Sequence, residues 1–156
     1  MTQPQLIEGE VGAHGRRVAI VAARFNDFIV ASLIKGASAA WSTHGGAPQD
    51  LLVVRVPGAF ELPVVARKLA AGGKCDAVVA LGCVIRGDTP HFDYIAGECA
   101  HGLQLASLET GVPIAFGVLT VENREQALER AATSGANKGG EAMECALEMA
   151  ALMARL

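Results

Sequence analysis

Four apolar segments, each followed by a helical pattern, constrain the fold of this chain of 156 residues more than any other feature. Their residues are apolar at consecutive positions rather than at alternate ones, which is typical of strands buried on both faces of a parallel sheet. Alternation of such strands with helices predicts an α/β domain with a four-stranded parallel sheet. We expect one domain over residues 1–156, in which residues 1–16 form an extended arm. The predicted strands are Arg17–Ala23, Leu51–Val56, Asp76–Ala80 and Ile114–Leu119.

Apolar residues at helical spacing predict helices after each strand. A first helix follows a turn at Arg24–Asp27, and a second begins near Pro63. The third is predicted from about Pro90 to Thr110 and the fourth over Glu122–Ala132. An interruption at Ser134–Gly140 precedes a last helix, in which four residues are expected to face inward: Met143, Ala146, Ala150 and Met153.

The stretch Leu81–Phe92 is the first place where chemistry is expected. It links the third strand to the third helix through a turn that contains Gly87. The first backbone amides of a helix have no partner within the helix, so a junction of this kind binds anions. Arg86 is expected to add positive charge there. His91 is a candidate for proton transfer, because an imidazole titrates near neutral pH.

Ligands of parallel sheets bind beyond the carboxyl ends of the strands. Three phenylalanines, Phe25, Phe60 and Phe116, are expected near those ends. Core packing is the alternative interpretation for each of them. Three aromatic rings on one rim would indicate a flat aromatic ligand held by stacking. The segments predicted to share this rim are Arg24–Asn26, Gly58–Glu61, Cys83–His91 and the region just after Phe116.

Five polar residues near the rim have more than one interpretation. Glu61 either accepts hydrogen bonds from a polyol or amide, or is a first-turn charge favoured by the helix dipole. Thr89 caps the third helix, binds a ligand, or does both. An anion beside the Asp88 carboxylate is electrostatically unfavourable, so its backbone amide is the group expected to matter. Arg130 and Lys138 are either solvated surface charges or phosphate ligands, a task that suits the arginine fork.

Composition excludes several classes of protein. The net charge is −3 and the thirteen Lys and Arg residues form no basic stripe, so we expect no nucleic-acid binding. No run approaches the roughly 20 apolar residues of a membrane span, so no membrane association is expected. The polar N-terminus lacks the apolar core of a signal peptide, which predicts a cytoplasmic protein. The high apolar fraction, 51%, favours contacts between subunits.

Motifs of several common enzyme and cofactor-binding classes are missing from the sequence. It contains no G-x-G-x-x-G after the first strand, no P-loop, no H-E-x-x-H and no G-x-S-x-G. The four cysteines show no C-x-x-C spacing, so we expect no metal site and interpret them as small core residues.

Several separate motifs, in order along the chain, resemble those of the 6,7-dimethyl-8-ribityllumazine synthase family. The resemblance extends from about Val18 to Met153 and rests on Arg24–Asn26, Pro57–Pro63, Leu81–Phe92 and Asn137–Gly140. It implies a flavodoxin-like three-layer α/β/α domain that assembles as homopentamers, with active sites between neighbouring subunits. A pentamer, a pair of pentamers and a sixty-subunit icosahedral shell share these motifs, so the size of the assembly stays open.

The resemblance also implies an activity. Enzymes of this family are transferases that condense 5-amino-6-(D-ribitylamino)uracil with 3,4-dihydroxy-2-butanone 4-phosphate and release phosphate and water. This is the penultimate step of riboflavin biosynthesis, and none of its steps needs a metal or a redox cofactor. The implied ligands are small-molecule substrates, and riboflavin synthase is a candidate partner.

The resemblance assigns roles to individual residues. His91 matches the proton-transfer histidine, and Phe25 matches the residue that stacks on the pyrimidine. The turn Asp88–Thr89 matches the phosphate site, to which the neighbouring subunit adds Arg130 and Lys138. The segments that match the ribitylaminouracil site are Ala59, Phe60 and Glu61, then Cys83, Val84 and Ile85, and Phe116 of the neighbour. Cys83 stands where threonine is also common, and Asp88 is a departure whose main chain alone is assigned.

Two other functions fit part of the pattern. A non-catalytic flavin- or pterin-binding module, or a packaging shell protein, would use the phenylalanines but has no need of His91. A flavodoxin-type electron carrier would need a phosphate loop after the first strand, where this chain has Arg24–Asn26.

Overall fold

Strands and helices alternate along the chain in the computed structural model, which describes residues 2–156. Met1, the first residue of the predicted arm, lies outside the described residues. The strands are β1 (Val18–Ala23), β2 (Leu51–Val56), β3 (Ala77–Ile85) and β4 (Ile114–Val121). The helices are α1 (Asp27–Thr43), α2 (Leu62–Ala71), α3 (His91–Thr110), α4 (Arg124–Ala131) and α5 (Lys138–Arg155). Short 3₁₀ turns, Pro48–Asp50 and Ala59–Glu61, precede β2 and α2.

The four strands form one parallel sheet in the order β2-β1-β3-β4. β1 is central, and its first residue, Val18, is paired with Leu51 of β2 and with Ala77 of β3. β4 is an edge strand that pairs with β3. The chain passes from β1 out to β2 and then returns to the other side of β1, so the strand order reverses between β1 and β3. This arrangement is flavodoxin-like, as predicted.

Two hydrophobic clusters, one on each face of the sheet, hold the layers together. All six residues of β1 are buried, as expected for a strand covered on both faces. Ile20 and Ala22 pack with buried residues of α1, α4 and α5. Val21 and Ala23 point to the opposite face and pack with α2 and α3. The predicted three-layer α/β/α fold is therefore confirmed.

Three features near element ends differ from the sequence-based prediction. β3 continues past Ala80 to Ile85, because β4 pairs with it over this length. α5 begins inside the predicted interruption, because the side-chain oxygen of Asn137 accepts a hydrogen bond from the Gly140 amide at 3.2 Å and caps the helix. Met153 is 43% exposed rather than inward-facing, since the buried residues of α5 end at Ala150.

The interpretation of the cysteines as core residues holds for two of them. Cys83 and Cys99 are buried, and burial raises the pKa of each thiol to about 11. Cys75 is partly buried, and Cys145 is exposed on α5, so the core interpretation is wrong for Cys145. Within residues 2–156 no helix is long and apolar enough to cross a membrane.

Close contact between α1 and α5 depends on glycine. A Cβ atom on Gly139 would overlap the backbone carbonyl of Leu33, whereas a Cβ on Gly97 of α3 would meet open space. Gly139→Ala is therefore expected to lower the free energy of unfolding by about 1–3 kcal/mol, the usual effect of overpacking. The matched variant Gly97→Ala is expected to be neutral or to stabilise by up to about 1 kcal/mol, because alanine favours a helix. Urea unfolding followed by circular dichroism measures both, and equal effects would contradict this packing explanation.

Candidate active site

A cavity of about 470 Å³ opens at the carboxyl ends of β1, β2 and β3, where the strand order reverses. This is the position at which open α/β sheets bind ligands. Three connections supply its wall: the turn after β1, the turn after β2, and the end of β3 with the first turn of α3. The lining residues predicted from the sequence are Phe25, Ala59, Phe60, Glu61, Cys83, Val84, Ile85, Thr89 and His91.

The turn after β1 presents the ring of Phe25 to the cavity. Its backbone extends the pairing with β2, because the Phe25 amide donates to the carbonyl of Pro57 at 3.0 Å. Asn26 adopts the left-handed conformation with φ 64°, which asparagine tolerates better than most residues. Its side-chain Nδ2 donates to the carbonyl of Cys83 at 2.8 Å and so ties this turn to the end of β3. The Phe25 ring is 73% exposed.

The turn after β2 forms the opposite wall. Gly58 is extended, and the 3₁₀ turn that follows is closed by a hydrogen bond from the Glu61 amide to the Gly58 carbonyl at 3.2 Å. Ala59 is buried, whereas the Phe60 ring is 58% exposed. Glu61 immediately precedes α2, so its carboxylate stands at a helix N-terminus, where negative charge is favoured. An aromatic ring and a carboxylate therefore face the same space.

The junction between β3 and α3 completes the cavity. Cys83 is a wall residue whose thiol stays neutral at physiological pH, because burial raises its pKa to about 11. Thr89 and His91 line the cavity and are exposed. Pro90, not Thr89, is the N-cap of α3, and no side chain caps the helix, so the interpretation of Thr89 as a cap is wrong. The Asp93 amide donates to the Pro90 carbonyl at 3.0 Å, so the His91 and Phe92 amides are the ones available to a ligand.

Arg86 does not serve the cavity as the sequence suggested. Its Nε donates to Glu122 Oε2 at 3.0 Å, and its Nη1 lies 3.4 Å from Asp93 Oδ1. The guanidinium also stands over the Phe92 ring at 4.4 Å, and the hydrogen bond to Glu122 raises its pKa. Arg86 is therefore engaged by two carboxylates and does not line the cavity to which it was expected to add positive charge. Asp88 belongs to the same turn, is exposed, and does not line the cavity.

The other predicted residues lie around a second cavity of about 450 Å³ along the edge strand β4. Phe116 is the third of the eight residues of β4, lies opposite Ala80 and is 49% exposed. The prediction that it shares a rim with Phe25 is therefore wrong within a single chain. Arg130 and Lys138 line the same cavity as Phe116. Their cations are partly exposed and contact acidic neighbours, with Lys138 Nζ 2.9 Å from Glu141 Oε2.

The two cavities have complementary chemistry. The first contains the imidazole, two exposed aromatic rings and a helix N-terminus, but no lysine or arginine is among its described lining residues. The second contains an aromatic ring and two cations, but no histidine is among its described lining residues. Within residues 2–156 no cluster of three or more His, Cys, Asp or Glu side chains is placed to hold a metal ion.

Comparison with known proteins identifies the family to which this arrangement belongs. A family model described as 6,7-dimethyl-8-ribityllumazine synthase matches residues 15–154. The chain belongs to this family. A 6,7-dimethyl-8-ribityllumazine synthase of Chlorobium phaeovibrioides (strain DSM 265 / 1930) is 57% identical over 147 residues, which are 94% of this chain and 95% of the relative. A protein of the same name from Chlorobium chlorochromatii (strain CaD3) is 56% identical over 143 residues, 92% of each chain.

Six further residues line the first cavity of this lumazine synthase family member without having been assigned a role from the sequence, although Asn26, Gly58 and Gly87 lie within the segments predicted to share the rim. Asn26 carried a signal, because asparagine after a buried strand favours a left-handed turn. Phe92 and Ile95 are spaced at helical intervals on α3, a pattern that also fits core packing. The full set is Asn26, Pro57, Gly58, Gly87, Phe92 and Ile95.

Asn26 offers a test of how the cavity is held in shape. Asn26→Asp removes the Nδ2 donor and brings a carboxylate to the Cys83 carbonyl, so we expect the free energy of unfolding to fall by about 1–3 kcal/mol. The control is Asn137→Asp. Asn137 is also left-handed, but its side chain accepts a hydrogen bond that aspartate can equally accept. Thermal unfolding of both variants decides the matter, and an Asn26 variant as stable as the control would contradict a structural role for this hydrogen bond.

Proposed function

We propose that this protein condenses 5-amino-6-(D-ribitylamino)uracil with 3,4-dihydroxy-2-butanone 4-phosphate to form 6,7-dimethyl-8-ribityllumazine, the penultimate step of riboflavin biosynthesis. The observation that carries the proposal is the cavity that places Phe25 and His91 beside the N-terminus of α3. Such a cavity offers a stacking surface for a pyrimidine, a proton carrier and a phosphate site. Membership of the lumazine synthase family supports the same assignment.

Two subunits together form the complete site in this proposal. β4 is a sheet edge, so the second cavity on its outer side can face the first cavity of a neighbouring copy. The neighbour then supplies Phe116, Arg130 and Lys138, and with them the cations that the first cavity lacks. Large apolar side chains on α2 and α3 support an assembly: Val64, Tyr94 and Leu108 are each about 70% exposed. We propose a cyclic homopentamer, which could also be the unit of a larger icosahedral shell.

Each substrate has its own set of residues in the proposed complex. The pyrimidine stacks on Phe25, while Ala59, Phe60 and Glu61 receive the ribitylamino part. The backbone of Cys83, Val84 and Ile85 lies along the edge of the pyrimidine ring. Phe116 of the neighbouring subunit covers the open side of this site. The phosphate lies at Thr89 and the Asp88 amide, with Arg130 and Lys138 opposite.

The reaction needs proton transfers and an anion site. The aromatic amine attacks the ketone and an imine forms with loss of one water. Phosphate then leaves with the electrons of its C–O bond, and the ribitylamino nitrogen closes the ring with loss of a second water. In this proposal His91, the first residue of α3, gives and takes the protons of these steps, and general acid–base catalysis of this kind contributes roughly 10²–10⁴-fold. Holding two substrates in register supplies much of the remainder.

The proposal includes three further points. We propose that the protein is cytoplasmic, that residues 1–156 form one domain, and that riboflavin synthase is its partner. Sedimentation of the purified protein measures its assembly.

Mixing the purified protein with both substrates tests the activity. The expected result is the absorbance and fluorescence of a lumazine, together with release of inorganic phosphate. Binding of the pyrimidine without product would instead favour a ligand-binding module, and this outcome would overturn the proposed reaction.

His91 is expected to act on turnover rather than on binding. His91→Ala should lower kcat by about 10²-fold, because proton transfer is lost, while the KM for the butanone phosphate stays within about threefold. The control is His101→Ala on the same helix, since His101 is exposed and does not line the cavity. Steady-state kinetics decides, and unchanged kcat in the His91 variant would refute its role.

Arg130 is expected to act on binding of the phosphate. Arg130→Met should raise the KM for the butanone phosphate about tenfold or more and leave the KM for the uracil nearly unchanged. Arg124→Met is the matched control on α4, because Arg124 lies near the Phe28 ring and outside both cavities. Co-expression of the His91 and Arg130 variants should restore part of the activity, since some interfaces then contain both native residues. No restoration would contradict a site shared between subunits.

A further inference from the structure

The side chain of Arg55 reaches from β2 to the turn that carries Phe25. Arg55 is the residue of β2 paired with Ala22 of β1. Its Nη2 donates to the Ala23 carbonyl at 3.2 Å and to Asp27 Oδ1 at 2.7 Å, and its Nε donates to the Ala22 carbonyl at 3.4 Å. One guanidinium therefore contacts the last residue of β1 and the first residue of α1, which are the two ends of the turn.

We propose that Arg55 is a positioning residue that fixes the orientation of Phe25 for stacking on the pyrimidine substrate. This inference rests on the proposed function and adds a residue to it. Arg55 does not line the cavity and acts only through the turn. Neither its position inside β2 nor its sequence neighbours mark it as part of a site.

The ring of Phe25 needs support from its backbone because it has little from its own surroundings. It is 73% exposed, so side-chain packing does not hold it in one orientation. The turn between Ala23 and Asp27 is three residues long, and fixing both of its ends restricts the residues between them. Asn26 holds the same turn from the opposite side through the carbonyl of Cys83. The turn is thus held from β2 by Arg55 and from β3 by Asn26.

Only a branched donor can make this set of contacts. The guanidinium presents several N–H donors in a rigid fork, so it bonds two carbonyls and a carboxylate at the same time. Lysine would reach the Asp27 carboxylate as a point charge but would lose the fixed geometry at the carbonyls. The surface ion pair alone is worth little, since Asp27 is 73% exposed. The main contribution of Arg55 is therefore to fix the position of the turn, and its contribution to the free energy of unfolding is small.

Binding of the pyrimidine tests this proposal. Titration of the purified protein with 5-amino-6-(D-ribitylamino)uracil is followed by calorimetry. Arg55→Met is expected to raise the Kd about tenfold, and Arg55→Lys should give an intermediate value. In turnover, the KM for the pyrimidine should rise while the KM for the butanone phosphate and kcat change little. The control Arg67→Met removes a surface ion pair with Glu109 elsewhere and should leave the Kd unchanged.

A double-mutant cycle separates positioning from a general effect on folding. In the background Phe25→Leu, the stacking ring is gone, so Arg55→Met should add less than a twofold change in Kd. The same tenfold loss in both backgrounds, or no loss in either, would overturn the proposal. Circular dichroism and sedimentation confirm that each variant is folded and assembled before titration.

Binding and turnover of the native protein separate the positioning role of Arg55 from the proposed reaction. If the native protein binds the pyrimidine but forms no product, the proposed reaction is wrong, and the Arg55 measurements still decide the positioning role. If the native protein converts both substrates and the Arg55 variants bind as tightly as it does, the positioning role falls alone. If the native protein binds no pyrimidine, both fall.

Discussion

The pairing of β1 with β3 is the constraint on which the rest of the molecule depends. The two strands are neighbours in the sheet, yet the helices that follow them lie on opposite faces: α1 packs in one cluster and α3 in the other. Neighbouring strands whose helices depart in opposite directions leave a crevice between them. The cavity with Phe25 and His91 occupies that crevice. Its position is therefore set by the backbone pairing of the sheet, whereas side chains such as Asn26 hold its wall in shape.

Much of the fold followed from the pattern of residues along the chain, and so did the three connections that line the first cavity. Consecutive apolar residues identified the strands, because a strand buried on both faces has no polar side. The residues after three of these strands were assigned to the cavity correctly, because parallel strands end at one edge of the sheet. Prediction failed where a distant partner decides the outcome. β3 runs to Ile85 because β4 pairs with it, and Arg86 does not line the cavity because it contacts Glu122 and Asp93. None of these partners is adjacent to β3 or Arg86 in sequence.

Phe116 shows a second limit of reasoning from one chain. It was expected at the rim with Phe25, but it lies inside the edge strand and lines the same cavity as Arg130 and Lys138. Its exposure on a sheet edge has no explanation within the isolated subunit, whereas a shared site between copies would cover it. In the proposed assembly, contacts between subunits rather than folding of one chain would bring the cations and the imidazole together. Each cavity of the single chain would then supply only part of the site.

The placement of α5 has a consequence for the order in which the molecule can be made. α5 packs on β3, β4 and α1, and its buried residues include Met143, Ala146 and Leu147. β3 ends at Ile85, and α5, the last element of the chain, begins more than fifty residues later at Lys138. During translation this face of β3 and β4 lacks its cover until α5 has emerged. The last segment to be synthesised therefore completes the core, so the domain reaches its final packing only when the chain is nearly finished.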